Sequence, residues 1–531
     1  MSEGRSHMEV TRPVPRGADR LRTRAGRCRA VAAALTLTLL VGGLGAGGGP
    51  AAAAGACTGG TGSDFNGDGI RDTAIADPLA TVSGHEEAGL VQIVLGGGKG
   101  VTTLSQDTPN VSDAAEAGDQ FGFSIAVYDA NLDGCSDIAV GIPYEDVGTV
   151  KDAGLVHLVY GSPSGIGQGT PSVGLMQGSE SKLSNDAEED DWVGYSVAAG
   201  TSVTNTPFLV VGIPGEDSSG LTDMGFAAYV YGAGPSAVTV HQNNTGVWED
   251  AEAYDRFGTS VAATDRYFTV GAPGESIGTV ASAGSVQVFR PSVNTDGIPD
   301  PLYGMGQGRT PGPDAAAQTD DRYGSALAMA PYRPSGATTT TDAILAVGVP
   351  GEDLSTTVDA GAAHVYHLKA DGTVVLLNWI DQNALGVEGG AEPGDFFGQQ
   401  LTAVNTSPSA VGTADTMRLA VGVPGEESTG DAPEAGGVHI LPLIGEPGAS
   451  DAWIEPGAGI PSGPAPRTYA GLGLGSSPSL LYVGMPYGPA DGRAVHAFPW
   501  NTPTGGAPTQ TFKPGEGGIP AGGVAFGKTI R

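Results

Sequence analysis

Apolar and polar residues alternate along this chain in short runs, and the runs recur in a fixed order. Phe121 to Asp146 shows that order in full. An alternating stretch opens at Phe121-Gly122, an acidic loop follows, and a second apolar run ends in Gly141-Ile142-Pro143. Period-two alternation broken by Gly- and Asp-rich punctuation predicts short strands, and no stretch between them carries helical periodicity.

The Gly-x-Pro ending has seven candidates: Ala76-Asp77-Pro78, Gly141-Ile142-Pro143, Gly212-Ile213-Pro214, Gly271-Ala272-Pro273, Gly348-Val349-Pro350, Gly422-Val423-Pro424 and Gly484-Met485-Pro486. Their prolines lie 59 to 77 residues apart. Upstream of the last six stands an aromatic-Gly or related pair: Phe121-Gly122, Val193-Gly194, Phe257-Gly258, Tyr323-Gly324, Phe397-Gly398 and Ala470-Gly471. Downstream comes a third run, usually after Ala-Gly, and often a fourth that ends in Gln106, Gln177, Gln242, Gln307 or Gln382. Four short strands per repeat predict a propeller blade. The first unit begins at its acidic loop with no strand ahead of it. The last stretch, Ala525 to Arg531, reads as an opening strand with nothing after it. The fold expected is all-β: a seven-bladed β-propeller of four-stranded blades, closed by the C-terminal strand joining the N-terminal blade. Closure would remove the exposed sheet edges that a linear stack leaves.

With 88 glycines and only 16% charged residues, the composition agrees with turns and short strands. Residues 1–56 read differently. Arg20, Arg22, Arg24, Arg27 and Arg29 precede an apolar run from Ala30 to Ala46 and a small-residue stretch to Ala56, the plan of a secretory signal. An uncleaved anchor is the rival reading; lipidation at Cys57 lacks the large aliphatic residue expected before it. The domains expected are a signal over 1–56 and one propeller over 57–531. The formal net charge is −33, and removing 1–56 takes away eight basic and three acidic residues. So acidic a chain disfavours nucleic acid and anionic membranes and favours cations or basic partners, with solubility alone as the plainer explanation.

Two loops carry candidate metal chemistry. Asp64, Asn66, Asp68, Ile70 and Asp72 fall at alternate positions of the first, and Asp129, Asn131, Asp133, Cys135 and Asp137 at those of the second. Oxygens at positions one, three and five, a main-chain carbonyl at seven and a sharp Gly turn at six suit a hard cation, Ca²⁺ before Mg²⁺. Position twelve is Ile75 or Val140, so these are not EF-hands. The rival is an Asx-rich turn without metal. The other repeats lack the alternating acids, which limits the expectation to two Ca²⁺ sites. Cys57 stands before the first loop and Cys135 inside the second. An oxidising compartment would let them pair if the loops are neighbours, and two free thiols is the alternative.

Acids also cluster before the opening strands and after Gly-x-Pro. Glu145, Asp146, Glu216, Asp217, Glu352, Asp353, Glu426 and Glu427 are expected to form an acidic arc on the face opposite the metal loops. That arc would take a basic or cation-bridged ligand; solvated turns with carboxylates bonding loop amides are the alternative. His157, His364, His439 and His496 recur at one position of the third strand, which marks sheet position. No nucleophile elbow, zinc-protease motif or phosphate loop is present, so no catalytic residue is assigned.

The order Phe-Gly, Asp-rich loop, Gly-x-Pro resembles the FG-GAP repeat of the integrin α-subunit propeller and its bacterial relatives, across essentially all of the chain after residue 56. The resemblance implies a secreted or cell-surface Ca²⁺-binding propeller acting as a binding or adhesion module, in which Asp72 and Asp137 close the metal sites at the ninth position. It implies an extracellular protein or glycan ligand, and a monomer with no membrane span after signal removal. A propeller hydrolase or lyase with a site near the central channel is the alternative.

Overall fold

The strands form where the alternation places them, and each unit folds into an antiparallel meander in chain order. The computed structural model describes residues 57–531 except 61, 179–182, 184, 310–315, 428–431 and 490–491; the expected signal over 1–56 lies outside the described residues. Blade two is typical: Ser124–Tyr128, Asp137–Ile142, Leu155–Val159 and Val173–Leu175 pair in sequence. Blades three, four, five and seven are also four-stranded, and blade six adds the short parallel strand Gly459–Ile460. The first strands of blades two to seven lie side by side in chain order, so they are the inner strands of a seven-bladed β-propeller.

Blade one has three strands of its own, Thr73–Asp77, Leu90–Leu95 and Gly100–Leu104. The chain's last residues run along Thr73–Asp77. Ala74 and Arg531 exchange backbone hydrogen bonds at 2.8 and 2.9 Å, Ala76 donates to Thr529 at 2.9 Å, and Gly527 donates to Ala76 at 2.9 Å. Phe526 and Ile530 are buried with Ile75 of blade one and Tyr482, Val495 and Phe512 of blade seven.

The core is divided among seven seams, each joining two neighbouring blades. The recurring glycines follow from how tightly those seams close. A Cβ on Gly141 would lie 2.1 Å from the Gly194 carbonyl oxygen of the next blade, one on Gly212 1.9 Å from that of Gly258, and one on Gly484 2.0 Å from that of Gly527. The first Gly of Gly-x-Pro and the Gly of the next aromatic-Gly pair are therefore one contact. In the first unit, Ala76 stands where the others have Gly and meets Gly122. Gly212→Ala is expected to cost about 1–3 kcal/mol, the range for overpacking a filled core. Chemical denaturation checks this, and an unchanged midpoint would show that the seam can open without penalty.

Candidate calcium loops and ligand face

The two Asp-rich loops close with one hydrogen-bond pattern. Asp64 accepts from the Asp68 and Gly69 amides at 3.0 and 2.7 Å, and Asp129 from those of Asp133 and Gly134 at 3.1 and 2.9 Å. Asn66 accepts from Asp68 at 3.1 Å and Asn131 from Asp133 at 3.0 Å; Asp68 and Asp133 accept from Ile70 and Cys135, each at 2.9 Å. Asp64, Asn66, Asp68 and their counterparts thus offer oxygen donors only, which fits a hard cation. Burial, with Asp133 and Asp129 as like charges, pushes the Asp137 carboxyl up to about 7. The loops differ at position five: Lys99 pairs with Asp68 at 2.7 Å, whereas Asp133 takes the Asn131 amide at 3.0 Å.

The ninth-position aspartates turn inward. Asp72 accepts from the Phe65 and Gly96 amides at 2.9 and 2.8 Å, and Asp137 from those of Ala130 and Gly161, both at 2.8 Å. Each ties its loop to the following hairpin. Asp342 opens the second strand of blade five, which lacks the alternating acids, yet it accepts from the Ala370 amide at 3.3 Å. An Asp at this position therefore has a bracing role that needs no metal. Elsewhere hydroxyl and amide side chains close the turn, as where Ser202 accepts from Thr206 and Asn405 from Ser407.

The loops are neighbours. Ser136 donates to the Asp64 carbonyl at 2.9 Å and its hydroxyl accepts the Asp64 amide at 3.1 Å. Cys57 and Cys135 form a disulfide across 78 positions of sequence, and Thr58 donates twice to the Gly67 carbonyl. Reduction is expected to lower stability by about 2–4 kcal/mol, since it frees a long loop in the unfolded chain. Melting with and without a reductant measures this. A Cys57→Ala/Cys135→Ala chain that melts like its parent would refute it.

The expected acidic arc is rearranged. Glu145, Glu216 and Glu352 are 4%, 4% and 1% exposed, and Glu426 is partly buried, so these glutamates do not face solvent as a ligand surface would. Each turns into the seam, where it accepts from a buried Gln side chain of the preceding blade: Gln106 to Glu145 at 2.6 Å, Gln307 to Glu352 at 2.5 Å, Gln382 to Glu426 at 2.7 Å, and Gln177 to Glu216. Asp119, Asp191, Asp321 and Asp395 are buried in the same seams. Burial, with Asp119 and Asp113 adding like charge, pushes Glu145 up to about 8. The second acid of each pair stays nearer the surface and folds its own loop: Asp146 accepts from the Asp152 amide at 3.1 Å, Asp217 from Asp223 at 2.7 Å and Asp353 from Asp359 at 2.9 Å. Glu427 is exposed.

Sequence reading missed what that face displays instead. The residue before each aromatic-Gly or related pair is left-handed in six blades: Gln120, Trp192, Arg256, Arg322, Phe396 and Tyr469 have φ between 49° and 61°. For side chains of this size the conformation is strained and marks a position fixed by its surroundings. Each residue donates its amide to a carbonyl of the preceding blade, as Trp192 does to Asp152 and Arg256 to Asp223. Their side chains join others at the ends of the inner strands. Phe123 packs on Tyr195 at 5.0 Å and Tyr144 at 5.7 Å, Trp192 lies 6.3 Å from Tyr195, and Arg256 sits over Trp192 at 5.7 Å. Across the ring, Tyr469 meets Tyr487 at 6.2 Å and Lys528 lies 5.7 Å from the Tyr487 ring. The signal was present as the residue preceding each Phe-Gly, but its varied chemistry hid the shared geometry.

The FG-GAP repeat model matches residues 121–159 and a second model of the same repeat matches 247–289. Mouse phosphatidylinositol-glycan-specific phospholipase D is 31% identical over 115 residues, 21% of this chain and 14% of that protein. Integrin alpha-PS2 of Drosophila melanogaster is 34% identical over 108 residues, 19% of this chain and 7% of that protein. The matched stretches are thus a small part of either relative. Among solved structures, the periplasmic gluconolactonase PpgL of Pseudomonas aeruginosa covers 87% of this chain at 12% identity and a TM-score of 0.42, a likeness on which no functional argument rests. The chain is a seven-bladed β-propeller carrying FG-GAP repeats, integrin-like in the segments that match.

Proposed function

We propose that the chain is a secreted, Ca²⁺-binding, integrin-like propeller acting as an extracellular binding or adhesion module. The observation carrying this reading is the rim of aromatic and cationic side chains at one end of the inner strands, five of them (Trp192, Arg256, Arg322, Phe396 and Tyr469) on strained left-handed backbone. Strain kept at equivalent positions of six blades, with solvent-facing Arg256 and Arg322 among them, suits recognition better than packing. Aromatic faces with nearby cations suit a glycan or a protein side-chain patch, and the exposed Asp217 and Glu427 with the half-buried Asp146 and Asp353 give a basic or cation-bridged partner its complement. The Asp-rich loops hold Ca²⁺ through Asp64, Asn66, Asp68, Asp129, Asn131 and Asp133, with the main-chain carbonyls of Ile70 and Cys135 at the seventh position and with Asp72 and Asp137, which also brace the loops, at the ninth, and the ions stiffen blades one and two. A signal over 1–56 delivers the chain, which works as a monomer. Among the described residues no helix is long and apolar enough to cross a membrane.

A glycan and protein array probed with the mature chain in Ca²⁺ tests the reading. Trp192→Ala with Arg256→Ala is expected to lower binding to any ligand found by at least about tenfold, the loss of a central interface pair. Undiminished binding would refute the rim as the ligand surface. A hydrolase or lyase is the second reading. His367 meets Asp342 at 2.6 Å beside Tyr332 and Glu446, in a cavity of about 320 Å³ between blades five and six. Turnover of an ester or glycoside that is lost in His367→Ala would favour it.

A further inference from the structure

The five Gln-containing seams share a plan, and one departs from it. Each takes a Gln from the end of one blade, then an Asp three residues after a Glu or Gln, then the Glu that follows Gly-x-Pro. Between blades three and four these are Gln242, Glu252, Asp255 and Glu275. Only there, among the described residues, do three such carboxylates each bring an oxygen within 4.8 Å of the others. Asp255 is 0% and Glu275 1% exposed, while Glu252 sits at the surface.

The hydrogen bonding leaves this convergence short of positive charge and of donors. Asp255 Oδ2 accepts from the Glu252 amide at 2.5 Å, but its Oδ1 is buried without a partner. Gln242, 2% exposed, stands against Glu275, and its Oε1 is likewise buried and unpartnered. Amide oxygen and nitrogen are interchangeable by a half-turn, so Gln242 can present oxygen to the cluster as readily as nitrogen. Arg256, the neighbouring cation, is committed elsewhere, to Asp223 at 3.0 Å. Four oxygen-bearing side chains, two of them with orphaned buried acceptors, surround one place that no basic side chain reaches.

We propose that Gln242, Glu252, Asp255 and Glu275 form a third cation site, which takes a hard divalent ion in the seam between blades three and four. All donors are oxygens and three are carboxylates, the set that Ca²⁺ prefers, with water completing the shell. Exposed Glu252 gives the ion its route in. The ion bridges two blades, whereas the Asp-rich loops each lie within one, so it acts on the closure of the ring.

Ca²⁺ binding counted by equilibrium dialysis on the full chain at neutral pH tests the proposal. A chain silenced in both loops by Asp68→Ala and Asp133→Ala is expected to keep one Ca²⁺. Adding Asp255→Asn and Glu275→Gln is expected to remove it, whereas adding Asp119→Asn and Glu145→Gln at the seam between blades one and two is expected to leave it. Glu252→Gln, on an exposed side chain, is expected to weaken the remaining site about tenfold, because ligand charge sets affinity. The loops and the seam fail separately. Loss of the loop ions alone leaves the third site standing. No Ca²⁺ on the loop-silenced chain, or Ca²⁺ that survives Asp255→Asn with Glu275→Gln, overturns it.

Discussion

In a chelator, the protein is expected to lose stability as the pH rises from about 5 to about 8. Burial pushes Asp119 up to about 6, Asp321 and Asp395 up to about 7, and Glu145 and Asp191 up to about 8, with neighbouring carboxylates adding to the effect. An acid whose pKa is raised in the folded state holds its proton where the unfolded chain has released it. Its stabilising share is therefore complete below the ordinary carboxyl range and is lost as the pH climbs through the raised value, at about 1.4 kcal/mol per pH unit for each proton. In a chelator these seams suit the protonated form. A protonated Glu145 donates to the Gln106 oxygen, which is otherwise buried without a partner, once the amide turns over. The histidines set the acid limit. Burial lowers His157 and His496 to about 4 and His364 to about 3, so their share is present above the ordinary imidazole range and is lost as the pH falls through these values. Melting temperature against pH in EDTA should thus peak on the mildly acidic side. Net negative charge alone would also weaken the fold at high pH. Glu145→Gln with Asp191→Asn separates the causes, because it removes two of the titrating groups and should flatten the slope. A curve that rises from pH 5 to 8 would rule out proton storage in the seams.

Calcium is expected to have the second large effect. At a free concentration 100-fold above Kd, each filled site adds roughly 2.7 kcal/mol by mass action. Melting should shift upward on adding Ca²⁺, and Asp68→Ala with Asp133→Ala should remove the share due to the loops. The single substitutions should differ. Lys99 already pairs with Asp68, so an ion at the first loop must compete with that cation; in the second loop the uncharged Asn131 side-chain amide takes the same place beside Asp133. Asp133→Ala is therefore expected to remove more of the shift than Asp68→Ala. Identical melting curves in EDTA and in Ca²⁺ would sink the loop assignment.

The blades were legible because their signals are local. Alternating runs such as DIAV and FLVV, and the glycines of Phe-Gly and Gly-x-Pro, specify strands and tight contacts wherever they occur. The acidic arc was not legible. Glu145 and Asp146 are adjacent in sequence, yet one is sealed in a seam by Gln106 and the other folds its own loop at the surface. Adjacent turn residues face different surroundings, and only the neighbouring blade decides which carboxylate is buried.

By itself, then, the sequence determined strand positions, the number of blades and the two loops with oxygen donors at alternate positions, since each depends on residues close along the chain. The tertiary structure decided the rest. It set Cys57 beside Cys135 across 78 residues, laid Arg531 against Ala74, turned five glutamates into seams, and gathered Trp192, Tyr195 and Arg256 on one rim. Most of these contacts cross from one blade to the next or join the two ends of the chain, so the packing of each blade on its neighbour, and closure of the ring at the ends, bring them together.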